Sequence, residues 1–139
     1  MAELHWHGFY SAVDGNTIKP GGQPERSYGD PSFQSNEIVP NVTHHWLYRS
    51  RQVKGTFREV SKATEWLAQQ YAQNVAPLLP REPVVAPLDV RLDYASKMLP
   101  AGTDVVWGFW LSTGRFASVN MICCPNRDGD APCPTGGRV

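Results

Sequence analysis

Phe57, Val60, Thr64, Leu67, Tyr71, Val75 and Leu78 recur at steps of three and four residues, which gathers them on one face of a helix. Thr56 followed three residues later by Glu59 is a capping-box pair. The threonine hydroxyl accepts from an early helix amide while the glutamate reaches back to the cap, so the helix is expected to begin at Thr56. Pro77, Pro80 and Pro83 each lack an amide donor and restrict the residue before them. The helix is therefore expected to stop at Pro77, and 77–87 reads as an extended linker. A one-sided apolar helix needs a surface to cover, and the remaining chain reads as strands.

Residues 4–13 alternate, with Leu4, Trp6, Gly8 and Tyr10 on one side and His5, His7 and Phe9 on the other. Asp14-Gly15-Asn16 tolerates a tight turn, so a short return strand through Thr17 and Ile18 is expected, ended by Pro20-Gly21-Gly22. Residues 20–36 are rich in proline and glycine and read as a surface loop. After Pro40, Val42, His44, Trp46 and Tyr48 alternate with Thr43, His45, Leu47 and Arg49 as a further strand. Leu88, Val90, Leu92 and Tyr94 alternate with Asp89, Arg91 and Asp93. A helix through Leu88, Leu92, Ala95 and Leu99 competes there, but it leaves Val90 on the wrong face, so a strand is expected.

Residues 105–111 and 116–123, joined by Ser112-Thr113-Gly114-Arg115, form a hairpin. Val105, Trp107, Phe109 and Leu111 share one core face with Ala117, Val119, Met121 and Cys123. The tail after Pro125 has no apolar period and is expected to be mobile unless something holds it. The expected fold is α+β: one domain over 1–125 and a polar tail over 126–139. Its antiparallel sheet has about five to six strands, in the order β-β-β-α-β-β-β, packed on one long amphipathic helix.

Charge narrows the partners. Thirteen basic residues balance thirteen acidic ones, so neither nucleic acid nor a membrane surface is an expected partner. The longest apolar run, 105–111, falls far short of the roughly 20 residues that span a bilayer. No charged segment followed by an apolar stretch opens the sequence, and three cysteines suit a reducing compartment better than a disulfide framework, so a cytoplasmic location is expected.

All four histidines occur in two pairs, His5-Trp6-His7 and His44-His45-Trp46. On a strand His5 and His7 point the same way, about 6 to 7 Å apart. With His44 or His45 from a neighbouring strand they offer a three-nitrogen metal face. No acidic ligand recurs at a characteristic spacing, so these histidines read as residues of a partly wet sheet face, with no metal or cofactor assigned. As general acids or bases they would draw on Asp14, Asp89, Asp93 or Asp104 for orientation, and the spacing does not choose among these.

Cys123 matches the core face and its neighbour Cys124 points away from it. Cys124 reads as an idle thiol, joined to Cys133 only in an oxidising compartment. Asn126, Asp128 and Asp130 alternate like an oxygen-rich calcium loop but lack its closing glutamate, so they read as a polar turn. Arg49, Arg51, Lys54, Arg58 and Lys62 against the single Glu59 make a local positive patch. Trp110 falls on the face opposite Trp107 and is expected to be exposed, as is Trp66 on the flank of the helix. No phosphate-binding glycine loop, serine elbow or zinc-ribbon spacing occurs.

Two function classes follow. The preferred one is a small interaction protein, self-associating as a homodimer or meeting a protein partner through Trp6, Trp46, Trp110, Arg49 and Arg51. The other is a small enzyme or ligand-binding protein acting on a small molecule or peptide, with His5, His7, His44 and His45 lining a pocket for acid-base or metal-assisted chemistry.

Overall fold

A computed structural model describes residues 3–18, 24–80 and 86–136 of the chain. The fold is α+β, with a single antiparallel 4-stranded sheet in the order β2-β1-β4-β3. Its strands are β1 (His5–Asp14), β2 (Gly55–Phe57), β3 (Val105–Trp110) and β4 (Arg115–Cys124). Helix α1 (Val60–Gln70) runs on through a π turn, Tyr71–Val75, and a 3₁₀ turn, Ala76–Leu78. Helix α2 is Leu88–Met98. Among the described residues no helix is long and apolar enough to cross a membrane.

The last hairpin and the faces of β1 and β4 follow the period-two reading. β3 pairs with β4 from Val105↔Met121 to Trp110↔Phe116, and Gly114 takes a φ of +84° in the turn between them. Trp6, Val105, Trp107, Phe109, Val119, Met121 and Cys123 form the helix-side core with Leu67 and Val75 of α1 and its extension and with Ala95 and Leu99 at α2. The Trp6 indole N–H donates to the Leu99 carbonyl at 3.2 Å. At Gly8 the absent side chain makes room for Trp66, since a Cβ there would lie 2.9 Å from its ring. The opposite sheet face carries a smaller core of Phe9, Ile122 and Cys124, covered by Trp46 and Leu47.

Several expectations are corrected. Four strands replace the expected five to six, and a second helix stands beside the long one. Residues 42–49 are not a strand: Thr43–Tyr48 is a 3₁₀ helix in which the consecutive residues Trp46 and Leu47 are both buried. A strand would have sent one of them to the far side. Leu88–Met98 is a helix, the competing reading. Burial of Ala95 and Leu99 behind the half-buried Leu88 and Leu92 outweighs leaving Val90 and Tyr94 exposed.

Helix α1 begins at Val60 rather than Thr56, because Thr56 is paired with His7 in the sheet and its hydroxyl faces that ring. The helical path also passes Pro77, which sits at the start of the 3₁₀ turn, where its missing N–H is not needed. Asp14 accepts from the Asn16 amide and closes a 3₁₀ turn, Gly15–Thr17, so the return strand expected at Thr17 and Ile18 does not form. The stop expected at Pro20-Gly21-Gly22 lies outside the described residues, as does Pro83.

Candidate metal centre

The two central strands are the foundation of the site. β1 and β4 run antiparallel in a register that sets His5 opposite Cys124 and His7 opposite Ile122. Alternation sends His5, His7 and Cys124 to the same face, away from the helices. Three potential ligands therefore sit on adjacent points of one rigid ladder. His5, His7 and Cys124 are all buried.

The fourth arrives from the tail. Asn126 donates from Nδ2 to the Asp104 carboxylate at 2.9 Å and to the Cys123 carbonyl at 3.0 Å, and the same carboxylate accepts the Cys123 amide at 2.8 Å. The Asp128 amide donates to Asn126 Oδ1 at 3.0 Å. This anchor turns the chain back across the sheet. Gly129 passes against His44 so closely that a Cβ would lie 2.2 Å from its Nε2. Ala131 and Cys133 then pack on the smaller core, and a turn closes with the Gly136 amide donating to the Cys133 carbonyl. The tail, expected to be mobile unless held, is held here.

Cys133 Sγ ends 3.5 Å from His5 Nε2 and 3.5 Å from His7 Nε2. One donor atom from each of His5, His7, Cys124 and Cys133 lies within 4.8 Å of every other. Zinc bonds of about 2.3 Å to sulfur and about 2.05 Å to nitrogen, opened to the tetrahedral angle, give an N···S edge of about 3.5 Å. The two imidazole–thiol edges already have that length.

The outer ring nitrogens are engaged. His5 Nδ1 lies 2.9 Å from the Glu3 carbonyl, which can only accept, so the proton is on Nδ1 and the Nε2 lone pair faces Cys133. His7 Nδ1 lies 2.9 Å from Thr56 Oγ1, which accepts from Nδ1–H when Nε2 is a ligand. Supporting bonds of this kind fix the tautomer and orientation of metal-binding histidines.

Burial, and then the nearby His5, lowers the His7 pKa to about 4, so the ring is neutral and its lone pair available at neutral pH. Burial also pushes the Cys124 thiol up to about 12, with Cys133 beside it adding to the effect. Cys124 is therefore no nucleophile by itself. A divalent cation changes the balance, because two thiolates and two neutral imidazoles around it leave a buried group with no net charge. Held by all four residues, such an ion would have no position left for a substrate, the pattern of structural rather than catalytic zinc.

The other predicted residues lie elsewhere. No atom of His44 or His45 joins the four-residue group. The His45 ring meets His44 at 4.8 Å and Tyr48 at 5.4 Å, and its pKa is lowered by burial and by His44. Trp6 belongs to the helix-side core, Trp46 stacks on Phe9 at 5.3 Å, and Trp110 is exposed, whereas Trp66, expected to be exposed, is buried in the helix-side core over Gly8.

Arg49 is buried. Its guanidinium donates to the Phe33 and Ile38 carbonyls and to Asn36 Oδ1, with the Phe33 ring 4.2 Å away, so it stitches the 24–52 segment together. Of the positive patch, Arg51 is exposed. Asp14 caps a turn, Asp93 pairs with Lys97, Asp104 anchors the tail and Asp89 opens α2. None of these orients a histidine of the group. Sequence reasoning brought neither Cys124 nor Cys133 to the histidines. The available sign was that Cys124, pointing away from the helix-side core, must share its face with His5 and His7.

Comparison of the chain with protein-family models, curated proteins and solved structures gave no match.

Proposed function

We propose that the protein is a small interaction domain stapled by one zinc-type divalent ion held by His5, His7, Cys124 and Cys133. The observation that carries this reading is the pair of 3.5 Å edges from Cys133 Sγ to the two imidazole Nε2 atoms. The mixed nitrogen and sulfur set favours zinc over the hard cations, which take oxygen. The ion ties the tail to the central strands and has no catalytic position open. Such a site supplies folding free energy and leaves function to the surface.

The test is the metal content of protein purified without chelators from zinc-supplemented cells, together with the spectrum after cobalt replaces the ion. About one zinc per chain, and tetrahedral cobalt bands with thiolate charge transfer, are expected. Protein that folds and carries neither metal would overturn the reading.

A second reading concerns that surface. Trp110 is 54% exposed on a folded sheet, which supports self-association through the aromatic sheet edge. Sedimentation velocity over a wide concentration range tests it. A species of one chain throughout would remove it.

A further inference from the structure

Resting on the self-association reading, we infer that β3 is the contact strand of a two-fold dimer in which the sheet continues from one copy into a second across an axis at Gly108. β3 is an edge strand, with β4 on one side and no strand on the other among the described residues. The Leu111 amide donates to the Arg115 carbonyl at 2.9 Å. With the β3–β4 register this commits the backbones of Val105, Trp107 and Phe109 to β4. The amides and carbonyls of Val106, Gly108 and Trp110 therefore face outward.

Natural edges are blunted by lysine, proline, bulges or inward charges. β3 reads Val-Val-Trp-Gly-Phe-Trp and carries none of these residues; just beyond it the next outward amide, that of Ser112, donates to the Leu78 carbonyl at 2.8 Å, which limits the open edge to 106–110. The exposed apolar side chains also gather here. Val90, Tyr94, Val106 and Trp110 are each between 43% and 56% exposed, and a groove of about 630 Å³ has Val90 and Tyr94 of α2 beside Val106 and Trp107. The edge is thus the floor of a channel flanked by a helix, in which Arg91, Asp104 and Asp128 stand beside the apolar side chains.

The strand is complementary to itself. In an antiparallel pairing centred on Gly108, each Gly108 faces the other and each Val106 faces Trp110 of the second copy. This engages every outward amide and carbonyl from 106 to 110 and sets a β-branched residue against an aromatic ring on each side of the axis. At the centre Gly108 brings no side chain of its own, and the Phe116 ring of the same copy covers it, a Cβ there lying only 2.7 Å from that ring.

The exposed halves of Tyr94 and Trp110 alone offer roughly 200 Å² per copy. That is about a quarter of the ~800 Å² per partner of a standard interface, before Val90, Val106 and the strand itself are added. A chain with no net charge brings no long-range repulsion to the approach.

Two measurements test the inference. Sedimentation equilibrium compares the natural chain with Val106→Lys, an outward-facing change that adds the kind of charge natural edges carry. The variant is expected to raise the dimer dissociation constant about 100-fold with an unchanged circular dichroism spectrum. In Val106→Cys/Trp110→Cys, the two new thiols of one chain stand about 13 Å apart along the strand and cannot join. Mild oxidation is then expected to give a dimer whose digest contains the 106–110 disulfide. A natural dimer that survives Val106→Lys and gives no such peptide overturns the β3 edge while keeping self-association. A natural chain that is monomeric at every concentration overturns both.

Discussion

His5 and Cys124 face each other across the two central strands, joined by the same register that sets His7 opposite Ile122. Their meeting depends on the pairing of a whole sheet, since a slip of one residue would turn every side chain of a strand to the other face. Cys133 depends only on the tail. Cys133→Ala is therefore expected to keep the sheet while zinc content falls from about one per chain to less than about a tenth. Chelator should lower the melting temperature of the natural protein and leave the variant unmoved. A variant still sensitive to chelator would show that Cys133 is not a ligand.

Thr56 never touches the ion in this reading and acts through the His7 ring. Thr56→Val keeps the shape of the strand and removes the acceptor from Nδ1–H. Zinc affinity, measured by competition with a chromophoric chelator, is expected to fall about 10- to 100-fold. Thr56→Ser should restore most of it, and equal affinities in all three would argue against a supporting role.

Protons compete at this site in two ways. In the metal-stripped protein the folded His7 titrates near 4 while the unfolded one titrates near 6.5. Between those values the unfolded chain binds a proton that the folded chain refuses. Stability is then fully present above pH 6.5 and falls as the pH drops toward 4, by about 3 kcal/mol in all. Urea midpoints across that range measure the slope, and His7→Gln should flatten it. In the loaded protein, Cys124 gives up a proton to bind, so zinc affinity is expected to drop about tenfold or more per pH unit on acidification. A pH-independent affinity would be inconsistent with thiolate ligation.

Arg49→Lys tests whether that residue serves a surface or the interior. Lysine cannot reproduce the planar fork that reaches the Phe33 carbonyl, the Ile38 carbonyl and Asn36 Oδ1 together. A loss of about 2 to 4 kcal/mol in chemical denaturation is expected. A change within about 0.5 kcal/mol would return Arg49 to the solvent-facing patch read from sequence.

What could be read in advance was what depends on a local period. The alternation of β1 separates Trp6 and Tyr10 from His5 and Phe9, and the hairpin around Gly114 names its own inward residues. Thr43–Tyr48 escaped because His44, Trp46 and Tyr48 fall at every second position and so resemble one aromatic strand face, and only the burial of both Trp46 and Leu47 shows a helical path. Leu88–Met98 was ambiguous because eleven residues support either period, and the decision lay in what α2 packs against. Thr56 carried a capping signature, yet pairing with His7 claimed it for the sheet. For the metal group, His5, His7 and Cys124 share a face by simple alternation. No local rule brings Cys133 to them, because the tail is placed by the Asn126–Asp104 anchor.

Cys133 is separated from His5 by 128 residues. At about 5–20 residues per second of synthesis, the last ligand appears on the order of ten seconds after the first. Any ion captured meanwhile has at most the sheet's three donors, and a chain nicked between Pro125 and Cys133 retains the strands and loses the closed sphere. The zinc-to-protein ratio of a preparation therefore doubles as a count of molecules intact through this segment, sensitive to a cut too small to resolve by size.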